Sequence, residues 1–211
     1  LQPMLRATPE LARRFDENSQ LLELQFDGMY LTLAGSNSPS GLASKPIRFV
    51  LMDEVDKYPG TSGKEADPIK LATERTKTFH DKKIYITSTP TLKTGHIWKE
   101  KESADIEKHY FVPCPHCGEY IELKFSNIRF PDEEGMTYAD RAEFATYICQ
   151  ECGCAITDAD KNNMIRHGEW RIVRHNTQYV RSVAFWINTL YSPFVRWADI
   201  VKEFLTTKDD P

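Results

Sequence analysis

No apolar run in the chain approaches the roughly 18 residues that a membrane-spanning helix needs, and the first residues lack the basic–apolar–small pattern of a secretion signal. A soluble, cytoplasmic protein is expected. Charge of one sign is also missing. Lys and Arg number 27 against 31 Asp and Glu, a net of −4, so there is no overall basic field of the kind that wraps duplex DNA. Internal repeats and low-complexity tracts are absent, which argues against solenoids and disordered linkers. Cysteine is scarce and odd in number, five in 211 residues, which argues against a disulfide scaffold. A GxxxxGK[ST] phosphate loop is absent as well. The stretch Gly60-Thr61-Ser62-Gly63-Lys64-Glu65 approaches one only faintly. Its spacing is wrong and Glu65 replaces the required hydroxyl, so it reads as a surface loop.

What is present is ordinary globular composition, 40% hydrophobic and 27% charged, enough for one good core or one core with a small appendage. The sequence opens on Leu1 with mid-domain texture and is read as a piece of a longer protein. Thr8-Pro9-Glu10 is a helix start, a hydroxyl cap followed by a first-turn proline and acid, and predicts a helix to about Asp16. Leu22, Leu24 and Phe26 alternate, then Asp27-Gly28, then Met29, Leu31 and Leu33 alternate: a hairpin with a two-residue turn. A polar loop, Gly35 to Gly41, follows.

The nearly unbroken apolar run Ile47–Met52 predicts a strand buried on both faces. Asp67-Pro68 predicts a helix to about Phe79, and Lys83–Thr89 a second buried strand stopped by Pro90. Strand, helix and strand with short connections indicate a parallel α/β sheet. From Thr157 onward a short helix, strands at Glu169–Arg174 and Val180–Ile187, and an amphipathic helix over Trp197–Leu205 are expected.

Two places carry chemistry. The run Ile47-Arg48-Phe49-Val50-Leu51-Met52-Asp53-Glu54 has the form of a Walker B segment, in which a buried strand delivers adjacent carboxylates to the edge where α/β sheets bind ligands. Asp53 is suited to holding Mg2+ through a water, and Glu54 to orienting the water that attacks a γ-phosphate. Taken alone, the same residues also read as a strand ending in a solvated acidic turn. The second place is Cys114-Pro115-His116-Cys117-Gly118 with Cys149-Gln150-Glu151-Cys152-Gly153. Two CxxC knuckles supply four thiolates to one tetrahedral ion, zinc above all, in a closed structural site. Cys154 and His116 are read as bystanders, and Lys108, His109, Lys124 and Arg129 are too few to define a nucleic-acid patch. The four tryptophans are read as core or interface anchors, and Arg166, Arg171, Arg174 and Arg181 as a solvated face.

Asp53-Glu54-Val55-Asp56 resembles the DExD box of helicase-like motors. Gly35-Ser36-Asn37-Ser38-Pro39, Leu51 to Pro59, Thr87-Ser88-Thr89-Pro90-Thr91 and Pro113 to Gly118, in that order, resemble the large terminase subunits of lambda-type tailed phages, as do Gly168-Glu169-Trp170 and Leu190 to Trp197. The resemblance spans nearly the whole chain. It implies the Walker B half of a RecA-like P-loop ATPase over residues 1–108, a β-rich four-cysteine zinc ribbon over 109–157, and strands and a helix over 158–211 leading to a nuclease. It implies an ATP- and Mg2+-dependent motor, oligomeric in full-length form, that moves double-stranded viral DNA in the host cytoplasm with a small terminase subunit and a capsid portal as partners. Asp53 and Glu54 then take the Mg2+ and water roles. Ser88, Thr89 and Thr91 form a coupling motif, with a weaker sensing role at Ser36 to Ser38. The 211 residues alone are expected to be inactive. A helicase-like ATPase with a zinc insertion, and a non-enzymatic zinc-ribbon binding module, are the alternative readings.

Overall fold

The computed structural model describes residues 1–16, 18–38, 41, 45–60 and 67–208. The fold is mixed α/β with small sheets, and the chain packs as two compact units, Leu1–Lys99 and Glu100–Pro211. Pro39, Ser40 and the loop residues 61–65 lie outside the described residues.

The first unit opens with two short helices, α1 (Gln2–Ala7) and α2 (Pro9–Ala12), each with a proline in its first turn. Helix α2 ends well before Asp16, because the next residues turn to pair with the hairpin. Phe15 bridges Phe26, and the Asp16 N–H donates to the Gln25 carbonyl at 2.9 Å. The hairpin is β1 (Glu23–Phe26) against β2 (Met29–Thr32), with Phe26 opposite Met29 and Gly28 at φ +75 in the turn. A side chain there would strain the left-handed backbone that the tight turn requires.

Strands β3 (Phe49–Met52) and β4 (Lys83–Ile86) are parallel, with Val50 beside Ile84 and Met52 beside Ile86. Helix α3 (Pro68–Glu74) joins them, its Asp67 cap accepting the Ile69 N–H at 2.8 Å. It stops short of Phe79; the Arg75 carbonyl instead accepts the Ile47 N–H that leads into β3. Val50, Met52, Val55, Ile69 and Ala72 form this unit's core. Burial of β3 on both faces does not occur: Leu51 is 73% exposed and Phe49 50%. The described elements cover one face of a two-stranded sheet, so only alternate side chains reach the core. Helix α4 (His96–Ser103) was not legible in the sequence. Its Lys- and Glu-rich residues carry little apolar periodicity, and the boundary between units falls inside it.

In the second unit a long central strand, β5 (Ile106–Pro113), pairs antiparallel with β10 (Glu169–His175), parallel with β11 (Val183–Trp186) and antiparallel with the short β6 (Tyr120–Ile121). Three further strands, β7 (Ile128–Arg129), β8 (Thr146–Ile148) and β9 (Ala155–Ile156), form a second small sheet. Helices α5 (Tyr138–Glu143) and α6 (Asp158–Arg166) each start with a reciprocal Thr/Asp capping box, Thr137 with Asp140 and Thr157 with Asp160. Helix α7 (Trp197–Lys208) closes the unit.

One core holds all of this together. Val112, Ile121, Leu123, Tyr147, Ile156, Trp197, Val201 and Leu205 belong to a single cluster, so the segments 109–157 and 158–211 are packed jointly. Trp197 is fully buried and donates its indole N–H to the Leu190 carbonyl at 3.0 Å. Trp170 is only partly covered, stacking against Tyr110 and Phe185. Arg171 and Arg174 are engaged in ion pairs with Glu169 and Glu107.

Candidate functional sites: an acidic strand exit and a four-thiol cluster

The exits of β3 and β4 are stitched together beyond their paired residues. The Thr87 N–H donates to the Met52 carbonyl at 2.8 Å, and the Val55 N–H to the Thr87 carbonyl at 3.3 Å. This registers Asp53 beside Thr87, whose hydroxyl donates to Asp53 Oδ1 at 2.7 Å; the same oxygen accepts the Glu54 N–H at 3.0 Å. Glu54 has φ +55, a left-handed conformation that a non-glycine residue adopts only under constraint. Among the described residues no Lys or Arg pairs with Asp53 or Glu54. Adjacent uncompensated carboxylates repel, and an arrangement of this kind fits a divalent cation. Tyr58 lies beside Asp53; burial pushes its phenol above the ordinary value, against a backbone hydrogen bond at Asp53.

The hydroxyl segment meets the acidic turn at different points. Ser88 Oγ accepts the Asp56 N–H at 3.1 Å, and Thr91 donates to Asp56 Oδ2 from its N–H at 3.1 Å. Thr89 shows only a carbonyl contact, from Ser88 Oγ at 3.4 Å. None of the three reaches Asp53 or Glu54 through a side chain among the described hydrogen bonds. Thr87, which does reach Asp53, was not singled out in the sequence. Only the strand register reveals it.

The four cysteines, by contrast, converge. The Sγ atoms of Cys114, Cys117, Cys149 and Cys152 all lie within 4.8 Å of one another, with Cys114 to Cys152 at 3.9 Å and Cys117 to Cys149 at 4.0 Å. The two knuckles repeat one geometry. The His116 N–H points to Cys114 Sγ at 3.5 Å, and the Glu151 N–H to Cys149 Sγ at 3.4 Å. Gly118 and Gly153, at φ +78 and +72, donate to the carbonyls of Cys114 and Cys149 at 2.9 Å each. A side chain at either glycine would strain that left-handed turn. Burial raises the Cys114 thiol above its ordinary value. At Cys149 burial acts the same way, but N–H donors from Cys152 and Glu151 outweigh it and lower the thiol. The group can hold a metal ion. His116 turns away, its Nε2 at 2.9 Å from the Ala155 carbonyl, and Cys154 is exposed outside the cluster.

Comparison with known proteins identifies the family. Residues 1–170 match the family model for the phage terminase large subunit gpA, ATPase domain, and residues 182–211 match the terminase large subunit gpA, endonuclease domain. The chain is 29% identical to the "Terminase, large subunit" of Enterobacteria phage P21, over 99% of this chain and 35% of that protein. It is 25% identical to the protein of the same name from Escherichia phage lambda, over 98% of this chain and 34% of that protein. The chain thus spans about a third of the length of these curated relatives. No solved structure gives a significant match. With an ATPase-domain model covering residues 1–170 of 211, the chain belongs to the gpA family of phage terminase large subunits.

Proposed function

We propose that this chain forms the Walker B half of the ATPase motor, followed by a zinc ribbon, in a terminase large subunit that drives double-stranded viral DNA into a procapsid and cuts concatemers through a nuclease domain. The observation that carries the motor reading is the pair Asp53–Glu54 at the exit of a parallel strand, with no cationic partner among the described residues and with Asp53 oriented by the Thr87 hydroxyl. The parallel β3–β4 pair is read as part of a RecA-like sheet. Residues 1–108 supply the motor portion, 109–157 the ribbon and 158–211 the approach to the nuclease, the last two resting on one core.

In this reading Asp53 holds the hydration shell of Mg2+, and the Glu54 carboxylate orients and polarises the attacking water. Bound Mg2+ supplies charge neutralisation at the β- and γ-phosphates. Ser88, Thr89 and Thr91 form the coupling segment through which the state of the acidic exit is passed on. The four sulfurs suit zinc: around a tetrahedral ion at about 2.3 Å they would lie about 3.8 Å apart, close to the 3.9 and 4.0 Å seen here. All four positions are filled by protein, which makes the ion structural. A small terminase subunit, a capsid portal and further motor subunits are the partners, in the host cytoplasm. Among the described residues no helix is long and apolar enough to cross a membrane. The 211 residues alone carry no phosphate-loop pattern and neither hydrolyse ATP nor cut DNA.

DNA-stimulated ATP hydrolysis by the full-length subunit, wild type against Glu54→Gln, is the test. A loss of about 100-fold or more in turnover with nucleotide binding retained is expected from removing a group that activates the attacking water. Unchanged turnover, or no ATPase activity in the wild type, would leave a zinc-ribbon binding module as the better account.

A further inference from the structure

Asp56 stands two residues past the acidic pair, in the short 3-10 turn Val55–Lys57. Its Oδ2 accepts the Thr91 N–H at 3.1 Å and the Thr91 hydroxyl at 3.4 Å. Its Oδ1 accepts the Ile97 N–H, in the first turn of α4, at 2.8 Å. Its own N–H donates to Ser88 Oγ at 3.1 Å. One residue therefore ties together the exit of β3, the exit of β4 and the start of α4.

Gly95 supplies a second, independent constraint. A Cβ at that position would lie 2.5 Å from Asp56 Oδ2 and 2.8 Å from Oδ1, so the loop closes on the carboxylate only because the residue is glycine. Burial pushes the Asp56 carboxyl upward, but the Ile97 and Thr91 donors and the nearby His96 outweigh this and hold it below the ordinary carboxylate value. It is therefore a charged acceptor at neutral pH, and hydrogen bonds to a charged acceptor are the stronger kind. The neighbouring Glu54 sits at φ +55 between two strand-exit bonds, Thr87 N–H to Met52 O and Val55 N–H to Thr87 O, and the Asp56 N–H to Ser88 Oγ bond pins the turn just beyond it. A left-handed glutamate persists only when its surroundings enforce it.

We propose that Asp56 is a positioning residue: it locks Glu54 in its left-handed conformation and binds the two strand exits to α4, so that displacement at the acidic pair moves the helix along which the chain leaves the first unit. This rests on the reading of Asp53 and Glu54 as the hydrolytic pair. Asp56 itself touches no reacting atom. It acts through the backbone of the residues it holds.

The test uses the full-length terminase subunit with Asp56→Ala, Asp56→Asn, Gly95→Ala and Glu54→Gln. Turnover with and without DNA, KM for ATP and the thermal unfolding midpoint are measured for each. Misplacing a catalytic group costs up to about 100-fold. Asp56→Ala and Gly95→Ala should each lower the DNA-stimulated kcat about tenfold or more while KM for ATP changes less than about twofold, the pattern of an interaction made in the transition state. Asp56→Asn, which keeps one acceptor oxygen, should recover part of the loss. Normal stimulated turnover in Asp56→Ala and Gly95→Ala, or a KM that rises in step with the lost kcat, overturns the proposal. If Gly95→Ala or Asp56→Ala fails to fold, Asp56→Asn decides, since an unchanged kcat there excludes a charge-dependent clamp. Should Glu54→Gln hydrolyse ATP normally, the hydrolytic-pair reading itself fails. If Glu54→Gln is dead and the other variants are normal, only the positioning role falls.

Discussion

Glu107 on β5 and Glu54 just past β3 are both acidic side chains at or beside a strand, and the two units treat them in opposite ways. In the second unit Glu107 is 5% exposed, near the start of β5, and three basic side chains are turned toward it. Lys101 Nζ stands 3.0 Å from Oε1, His109 Nε2 2.8 Å from the same oxygen, and Arg174 Nε 3.0 Å from Oε2. His109 is held from its other side by Glu122, 2.6 Å from Nδ1. In the first unit Asp53 and Glu54 stand at a strand end with a hydroxyl and a backbone N–H for company and no cation among the described residues. A buried carboxylate that is fully paired belongs to the architecture, because leaving it bare would cost several kcal/mol. Carboxylates left side by side without compensation are open to a ligand that brings the charge. The contrast separates a charge satisfied within the fold from charges left open for the cation of the proposed function.

The largest effect should come from the cysteine cluster. Metal–thiolate binding is coupled to folding by about 10 kcal/mol or more, comparable to the whole stability of a domain. Because Cys114 and Cys149 sit in the same cluster as Trp197, Val201 and Leu205, chelation or Cys149→Ser should expose α7 as well as the knuckles. Limited proteolysis of wild type with and without chelator would show it. Protection of α7 that survives metal removal would break the link between the cysteine knuckles and the helix.

Next in size is the buried charge. Removing one partner of a buried ion pair costs about 3–5 kcal/mol, so Glu107→Ala should lower the unfolding midpoint sharply, and Arg174→Ala somewhat less, since Arg174 is partly exposed. The same carboxyl gives a pH dependence. Burial pushes Glu107 up, but hydrogen bonds from His109, Lys101 and Arg174 prevail and hold it below the ordinary carboxylate value. A depressed carboxylate stabilises the fold above the unfolded-state value and loses that contribution as pH falls through the folded-state value. Stability of the second unit should therefore decline as pH falls below the ordinary carboxylate range, and Glu107→Gln should flatten that decline in acid-unfolding curves.

The smallest effect belongs to the surface cluster of Arg196 with Glu143 and Asp199 on α5 and α7, where all three side chains are about half exposed. Solvent-exposed ion pairs contribute little. Arg196→Ala should leave the unfolding midpoint unchanged, and a marked drop would mean that the contrast between buried and exposed pairs has been drawn in the wrong place.

Local chemistry made several elements readable without the structure. Asp27-Gly28 fixed a turn, Asp67-Pro68 a helix start, and the apolar runs two strands, because a turn, a cap and a short strand are each written within a few residues. Helix α4, the central role of β5 and the start of β11 were not readable. Their residues are charged or mixed, and what selects their conformation is pairing with segments far away in the chain, such as Val183 beside Ile106. Thr87 and Asp56 stood in recognisable motifs, but their contacts were not readable, for the same reason. Their partners lie more than thirty positions away and become neighbours only through the β3–β4 register.

The amino-acid sequence by itself determined the paired thiols, the acidic pair after an apolar run, the hairpin turn and the helix caps, since each depends on the chemistry and spacing of adjacent residues. Tertiary structure alone decided which hydroxyl meets Asp53, that one charged residue at position 56 joins three segments, and that the cysteine knuckles and the C-terminal helix share a core. Those outcomes depend on strand register and on which apolar faces are left to bury one another, and neither is fixed until distant parts of the chain have packed.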